Sequence, residues 1–171
     1  KSKKIWCASS THYNEEELCG IVHKELKQKY RNLLTIIIPR HINRTSSIKN
    51  NLNDQGLKVH LHEPKKKIDK NTDVYLVNTY GKTKSFYANC KNVFLGGSII
   101  NHGGQNPLEA ARFGCNIIHG PNISNFNEIY QFLYKNKIST KINNSKMILK
   151  TLKVLFKKNK NSKIIKKKIN L

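Results

Sequence analysis

The chain has 171 residues, enough for one domain with a buried core. Its formal net charge of +22 favours an anionic partner, which could be nucleic acid, an anionic membrane surface or a phosphorylated substrate. A lysine-rich composition that decorates an unrelated fold is the alternative. The four cysteines lack metal-ligand spacing and read as reduced thiols, and apolar runs such as 33–38 are too short to cross a bilayer.

Predicted strands and helices alternate along the chain. Short apolar or β-branched runs predict strands at 5–9, 33–38, 58–62, 74–77, 93–95, 116–119 and 138–142. Amphipathic spacing predicts helices at 15–29, 44–55, 84–88, 107–113, 124–135 and from 145 onward, with Asn14 and Ser124 as N-caps. This alternation predicts a mostly parallel α/β sheet with helices on both faces, in a domain spanning 1–143. Residues 144–171 are expected to form a lysine-rich helix ending in a frayed tail.

The stretch 94–109 combines a short buried strand, two glycine pairs and the start of a helix. Asn106 can cap that helix, Pro107 suits its first position, and Glu109 falls at the third. Glycines let the backbone approach a ligand closely, and the free N–H groups of a helix start attract anions. Because open α/β sheets hold phosphorylated ligands at such places, this stretch predicts a nucleotide or sugar-phosphate site.

Several short motifs follow one another in order along the chain. They are A-S-S-T-H at 8–12 with E-E at 15–16, P-R-H at 39–41, N-T-Y-G at 78–81 before F-Y at 86–87, L-G-G-S at 95–98, H-G-G at 102–104 with N-P-L-E at 106–109, and G-P at 120–121 with N-F at 125–126. Over about 5–128 this set resembles the C-terminal half of 3-deoxy-D-manno-octulosonic acid (Kdo) transferases. The chain departs from that pattern at Asn14, where glycine is common, at Gln105, where histidine is frequent, and at Lys82-Thr83, where Glu-Leu is usual.

The resemblance implies a GT-B glycosyltransferase, in which two Rossmann-like domains face each other across a cleft and the C-terminal one binds the nucleotide sugar. The donor would be CMP-Kdo and the acceptor a lipid A precursor of lipopolysaccharide biosynthesis, with inversion at the transferred sugar. The enzyme would work at the cytoplasmic face of the bacterial inner membrane, peripheral or anchored through an N-terminal part. That N-terminal domain would supply the general base and acceptor site, so this chain is expected to be inactive alone. Neither a cofactor nor a metal ion is expected.

The residues expected to bind the donor lie in the same motifs. A guanidinium at Arg40 can grip two phosphate oxygens at once. Glu109 would bind ribose hydroxyls, as the resemblance implies, or close a capping box with Asn106. The predicted donor-binding set is Arg40, His41, Gly96, Gly97, Ser98, His102, Gly103, Gly104, Asn106 and Glu109, and the expected cleft contacts are Ser10, Thr11, His12 and Asn125.

Two residues next to these motifs are interpreted structurally, and two other functions are considered for the whole chain. Glu15 and Glu16 are interpreted as complements to a helix dipole. A basic nucleic-acid-binding module would suit the charge, but the aromatic residues are few and are not interleaved with the lysines, so no nucleic acid is expected as a partner. A dehydrogenase-type nucleotide domain would need a G-x-G-x-x-G motif after the first strand, and the sequence has none there.

Overall fold

A computed structural model describes residues 3–158 and 162–170. Within these ranges the strands are β1 Lys4–Thr11, β2 Leu33–Pro39, β3 Val59–Leu61, β4 Val74–Leu76, β5 Asn92–Leu95, β6 Asn116–His119 and β7 Ser139–Lys141. The α-helices are α1 Glu15–Lys27, α2 Thr45–Asp54, α3 Thr83–Asn89, α4 Leu108–Arg112, α5 Asn127–Lys135, α6 Ser145–Lys157 and α7 Ser162–Ile169. Short 3-10 turns at Ile42–Arg44 and Ser124–Phe126 precede α2 and α5.

The strands form one sheet in the order β3-β4-β2-β1-β5-β6-β7, and every neighbouring pair is parallel. Strands β2, β3 and β4 all lie on one side of β1. The chain then crosses to the other side of β1 with β5, and β6 and β7 follow there. The carboxyl ends of β1 and β5 therefore flank the point where the strand order reverses, the usual ligand crevice of such sheets. The predicted Rossmann-like, mostly parallel α/β fold is confirmed.

One hydrophobic core lies on each face of the sheet. On the first face, Trp6 and Ile37 pack against α1, α2 and α6. On the second face, Val93 and Ile117 pack against α3, α4, α5 and α7. This double cover explains why every residue of β2 from Leu33 to Pro39 is buried and why six of the seven are apolar. The exception is Thr35, whose hydroxyl is hydrogen-bonded to the ring of buried His23 at 2.8 Å.

The C-terminal segment is part of both cores. Ile148 and Leu152 of α6 are fully buried on the first face, and Ile165 of α7 is buried on the second. Lys168 Nζ also donates a hydrogen bond to the Asn136 carbonyl, 3.1 Å away. Residues 162–169 form the expected helix, but the helix is docked and not frayed, because Ile165 is buried in the second core and Ile169 packs against it. Residues 159–161 and 171 of that expectation lie outside the described residues.

Two expected N-caps are also wrong. Asn14 adopts the left-handed conformation, with φ at 70°, and makes no side-chain cap hydrogen bond to α1. Ser124 begins a 3-10 turn, so α5 starts three residues later, at Asn127. A helix that is well capped is α6, where Asn144 Oδ1 accepts the N–H of Met147 at 3.0 Å. No helix in the described ranges is long and apolar enough to span a membrane.

Candidate functional site at the carboxyl edge of the sheet

Three loops meet where β1, β2 and β5 end. The loop after β1 carries His12, the loop after β2 carries Arg40 and His41, and the long loop 96–107 follows β5. The backbone N–H of Arg40 donates to the carbonyl of Thr11 at 2.9 Å, which fastens the first two loops together. Parallel strands thus bring three separate predicted motifs to one edge of the sheet.

Three histidines cluster in this crevice. The ring centroids of His12 and His102 lie 4.2 Å apart, and His41 stands edge-on to His12 at 5.8 Å. Gln105 Nε2 lies 3.4 Å from His12 Nε2. Burial, and then the charges of the neighbouring histidines and arginines, lower the pKa of His12 to about 4. His12 is therefore neutral at pH 7 and can both donate and accept a hydrogen bond.

The two arginines near this cluster differ in their availability. Arg44 makes a two-pronged ion pair with Glu16, at 3.0 and 3.1 Å, and lies over the ring of Tyr13. Arg40 is exposed, and its guanidinium makes no hydrogen bond or ion pair with any of the described residues. The charges of Arg40 and Arg44 both act on His12, so both arginines lie close to the crevice. Because Arg44 is already paired with Glu16, Arg40 is the arginine that can bind an anionic ligand there.

Glu15 fills the first glycine turn. Its buried carboxylate accepts the N–H groups of Gly97, Ser98 and Ile99 at 2.8, 3.2 and 3.1 Å, and that of His12 at 3.0 Å. Burial raises the pKa of Glu15, and these four hydrogen bonds partly offset that rise. The interpretation of Glu15 as a helix-dipole complement was incomplete, since its main partners lie across the crevice.

Several of the residues expected to contact the donor or the cleft make hydrogen bonds within the protein. The N–H of Gly96 donates to the Ser9 carbonyl and that of Gly97 to Glu15, so neither is free to bind a phosphate. Thr11 and Ser98 are fully buried. The Thr11 hydroxyl donates to Glu16 at 2.9 Å, and the Ser98 hydroxyl links the Leu95 carbonyl to the N–H of Gly120. Both hydroxyl groups are therefore already hydrogen-bonded to the protein's own loops.

The second glycine pair is held by the loop after β6. The Gly103 carbonyl accepts the N–H of Asn125 at 3.0 Å, and the Asn125 amide donates to the carbonyl of His102 at 3.2 Å. The N–H of Gly104 donates to the Gly97 carbonyl at 2.8 Å, which ties both glycine pairs together. Asn125 thus borders the crevice as expected, where it supports the turn that carries His102. Ser10, half-buried and with φ at 54°, lies in the loop just before His12.

Glu109 lies on a neighbouring part of the same edge. Its carboxylate accepts the hydroxyl of Thr83 at 3.0 Å, and Asn106 Oδ1 accepts the N–H of Leu108 at 3.0 Å. Asn106 thus bonds across the turn that leads into α4, but the helix starts at Leu108 with Pro107 as its N-cap, so the expected N-cap at Asn106 is wrong by one residue. No capping box forms with Glu109, whose side chain remains 43% exposed. Thr83, noted in the sequence only as a departure from the family pattern, is one partner of Glu109, and Lys84 Nζ lies 3.9 Å from the same carboxylate. Within the described residues, no hydrogen bond or ring contact joins Glu109 to the histidines.

A metal centre has no support in this geometry. Among residues 3–158 and 162–170, no group of three or more His, Cys, Asp or Glu side chains could hold a metal ion. All four cysteines are buried and unpaired in disulfides. Among the described residues, the edge presents three histidine rings, the exposed guanidinium of Arg40 and, next to them, the partly exposed carboxylate of Glu109.

This fold defines a parallel α/β domain with a crevice where the strand order reverses, and comparison with known proteins narrows the class of protein. The chain is 34% identical over 133 residues to the 3-deoxy-D-manno-octulosonic acid transferase of Haemophilus influenzae, matching 78% of this chain and 31% of that protein. It is 31% identical over 157 residues to the Aquifex aeolicus transferase of the same name, matching 92% of this chain and 43% of that protein. No family model matches the chain.

Solved structures agree on the fold. The C-terminal CMP-Kdo binding domain of WaaA from Acinetobacter baumannii superposes with a TM-score of 0.90 at 21% identity, over 99% of this chain and 89% of that one. The C-terminal domain of a group 1 glycosyl transferase from Francisella tularensis superposes at 0.56, with 15% identity, over 97% of this chain and 80% of that one. The predicted resemblance to the C-terminal domain of Kdo transferases is confirmed. The chain spans between about a third and somewhat less than half of the length of these two curated relatives.

Proposed function

We propose that this chain is the donor-binding domain of a GT-B glycosyltransferase that moves Kdo from CMP-Kdo to a lipid A precursor. The relatives named above are Kdo transferases, and the superposing Acinetobacter domain is a CMP-Kdo binding domain. The observation that carries the proposal is the crevice itself: exposed Arg40 stands beside the histidine cluster at the reversal point of the sheet. A cationic pocket at that place suits the phosphate of a nucleotide sugar.

The donor's parts match the chemistry of this edge. Arg40 would bind the phosphate, and neutral His12 would donate or accept hydrogen bonds toward the sugar. Glu109, with its carboxylate accessible and Thr83 alongside, would accept hydrogen bonds from the two ribose hydroxyls. His41, His102, Gly103 and Gly104 would shape the space between them.

The proposed reaction is a displacement with inversion. An acceptor hydroxyl attacks the anomeric carbon of Kdo, the bond from that carbon to the phosphate oxygen breaks, and CMP leaves. Arg40 offsets the negative charge that grows on the departing phosphate, and such preorganised groups contribute on the order of 2.7–4 kcal/mol each. The base that takes the hydroxyl proton is proposed to lie in the other part of the transferase, together with the acceptor site.

Calorimetric titration with CMP tests donor binding directly. The wild-type chain is expected to bind CMP, and Arg40→Ala to weaken binding by about 10- to 100-fold, because a charge-assisted hydrogen bond contributes about 1.5–3 kcal/mol. Glu109→Ala is expected to weaken it as well. Arg31→Ala and Glu25→Ala, which remove exposed charges away from the crevice, serve as matched controls. A wild-type chain without affinity for CMP would refute the proposed function.

An anionic membrane surface is the second proposed partner. The outer face of α6 forms a shallow groove of about 290 Å³ lined by Lys146, Leu149, Lys150, Lys153, Val154 and Lys157. Met147 and Val154 are also exposed on this helix. The lysines would contact anionic lipid headgroups, and the exposed apolar side chains between them would enter the upper acyl region. Each lysine near the surface contributes roughly 1 kcal/mol to the free energy of membrane binding. Work at the cytoplasmic face of the inner membrane is proposed on this basis.

Cosedimentation with vesicles tests the membrane contact. Binding to vesicles rich in anionic lipid is expected to fall steeply with salt, and Lys150→Glu with Lys153→Glu is expected to abolish most of it. Exchange of the distant Lys65 and Lys66 for glutamate is the charge-matched control. Binding that does not change with salt would count against the proposal. Tight binding to an unrelated DNA duplex at physiological salt would favour the nucleic-acid alternative instead.

A further inference from the structure

Glu15 is a buried carboxylate without a cationic partner among the described residues. It is 1% exposed, and its hydrogen-bond partners are backbone N–H groups: three from successive residues of the turn after β5 and one from the loop after β1. A row of successive N–H groups is an arrangement that proteins use to bind anions. Here the chain supplies the anion itself, so this nest is already occupied before any ligand arrives.

The turn is shaped around this carboxylate. A Cβ added at Gly96 would lie 2.6 Å from Glu15 Oε2, and Gly97 adopts the left-handed region with φ at 64°. Glycine is therefore required at both positions for an internal contact. Gly96 leaves space for the carboxylate, and the left-handed backbone of Gly97 directs its N–H group toward it. The glycine pair is needed for an internal contact, whatever else it touches.

The same turn holds the candidate site in place. A Cβ at Gly97 would lie 3.1 Å from the ring of His102 and 3.2 Å from that of His12, so both rings rest on this residue. The Gly97 carbonyl accepts the N–H of Gly104, which begins the approach to α4. A shift of the turn would therefore move the histidines and the second glycine pair together.

We propose that Glu15 is a positioning residue for donor binding: its carboxylate fixes the turn after β5 and, through that turn, the histidines and the second glycine pair. This inference rests on the proposed donor function, although Glu15 itself touches no ligand. A neutral amide at this position could not replace it, because its NH₂ group would face N–H donors, which offer it no acceptor. The charge as well as the shape of the side chain is required.

The test compares Glu15→Gln with Glu17→Gln. Glu17 lies in the same first turn of α1 and accepts a hydrogen bond from Asn51 at 2.9 Å, away from the crevice. Glu15→Gln is expected to weaken CMP binding about tenfold or more, and hydrogen exchange without nucleotide should show faster exchange at the amides of 97–99. Glu17→Gln should change neither. In Glu15→Ala, added formate should refill the nest and restore part of the CMP affinity, while chloride at equal ionic strength should not.

The outcomes separate this inference from the proposed function. If the wild-type chain does not bind CMP, the donor function is wrong and the positioning role falls with it. If the wild type binds CMP and Glu15→Gln binds it equally well, only the positioning role is overturned. Should Glu15→Gln fail to fold, Glu15→Asp replaces it in the test. Aspartate keeps the charge, but its side chain is one methylene shorter, so the carboxylate lies farther from the N–H groups of the turn. A lower CMP affinity in that variant supports the role, and an unchanged affinity overturns it.

Discussion

Replacement of Gly96 by alanine tests how tightly the crevice is built. The new Cβ would lie 2.5 Å from the Ser10 carbonyl oxygen and 2.6 Å from both Glu15 Oε2 and Thr11 Cα. Two of these three atoms belong to the backbone and cannot rotate away, so relief requires β1 and β5 to move apart at their carboxyl ends. Overpacking of this kind costs roughly 1–3 kcal/mol, and we expect the upper end of that range.

The assay is thermal unfolding followed by circular dichroism. For a chain of this length, 1 kcal/mol corresponds to about 2–4 °C, so Gly96→Ala should lower Tm by roughly 6–12 °C. Gly56→Ala is the matched control. Gly56 also lies in a turn, with φ at 81°, but no atom lies within 4 Å of an added Cβ. Only backbone strain of about 1–2 kcal/mol is expected there. Equal melting temperatures for the two variants would refute the steric reasoning.

Two further predictions concern stability. Burial alone would raise the pKa of the Asp73 carboxyl, but hydrogen bonds from Lys27 and from the Lys58 backbone lower it overall. Burial lowers the pKa of its partner His23. Because the unfolded chain therefore binds protons at both groups more readily than the folded one, both should stabilise the fold less as the pH falls. Asp73→Asn should therefore lower Tm most at pH 6–8, and the difference should shrink as the pH falls below the ordinary aspartate pKa of about 4 and through the lower folded-state pKa of Asp73; a difference that stays constant as the pH falls would contradict this. Leu152→Ala should destabilise the domain by about 2–5 kcal/mol in urea unfolding, since α6 belongs to the core, whereas Lys153→Ala should change it little.

The fold could be predicted from the sequence because its signals are local. Continuous apolar runs such as 33–38 and amphipathic runs such as 15–29 gave the strands and helices within a few residues of their observed bounds. The end of the chain could not be predicted in the same way. Ile164 and Ile165 form an apolar pair among lysines, and only the packing of α7 on the second face of the sheet buries Ile165 while Ile164 stays exposed.

The candidate site was predicted in place but only partly in role. The ordered motifs located Arg40, the histidines and Glu109 at one edge, since the ends of parallel strands converge there. The distant partners of Glu15 and Glu16 could not be read in advance: Arg44 lies 28 residues from Glu16, and the three N–H groups of the turn after β5 lie 82 to 84 residues from Glu15. A glutamate at the start of a helix has an adequate local explanation, so nothing in the sequence demanded a distant one.

The docking of α7 has a practical consequence for anyone shortening this chain. Its lysine-rich end looks dispensable, yet Ser162 packs against Gly114, at the end of the helix that carries Glu109. Trimming the protein before Ser162, as one would to improve crystals or reduce charge, would uncover buried Ala110 and Ala111 of that helix and loosen the support of its Glu109. Boundaries drawn for expression should therefore retain the final helix.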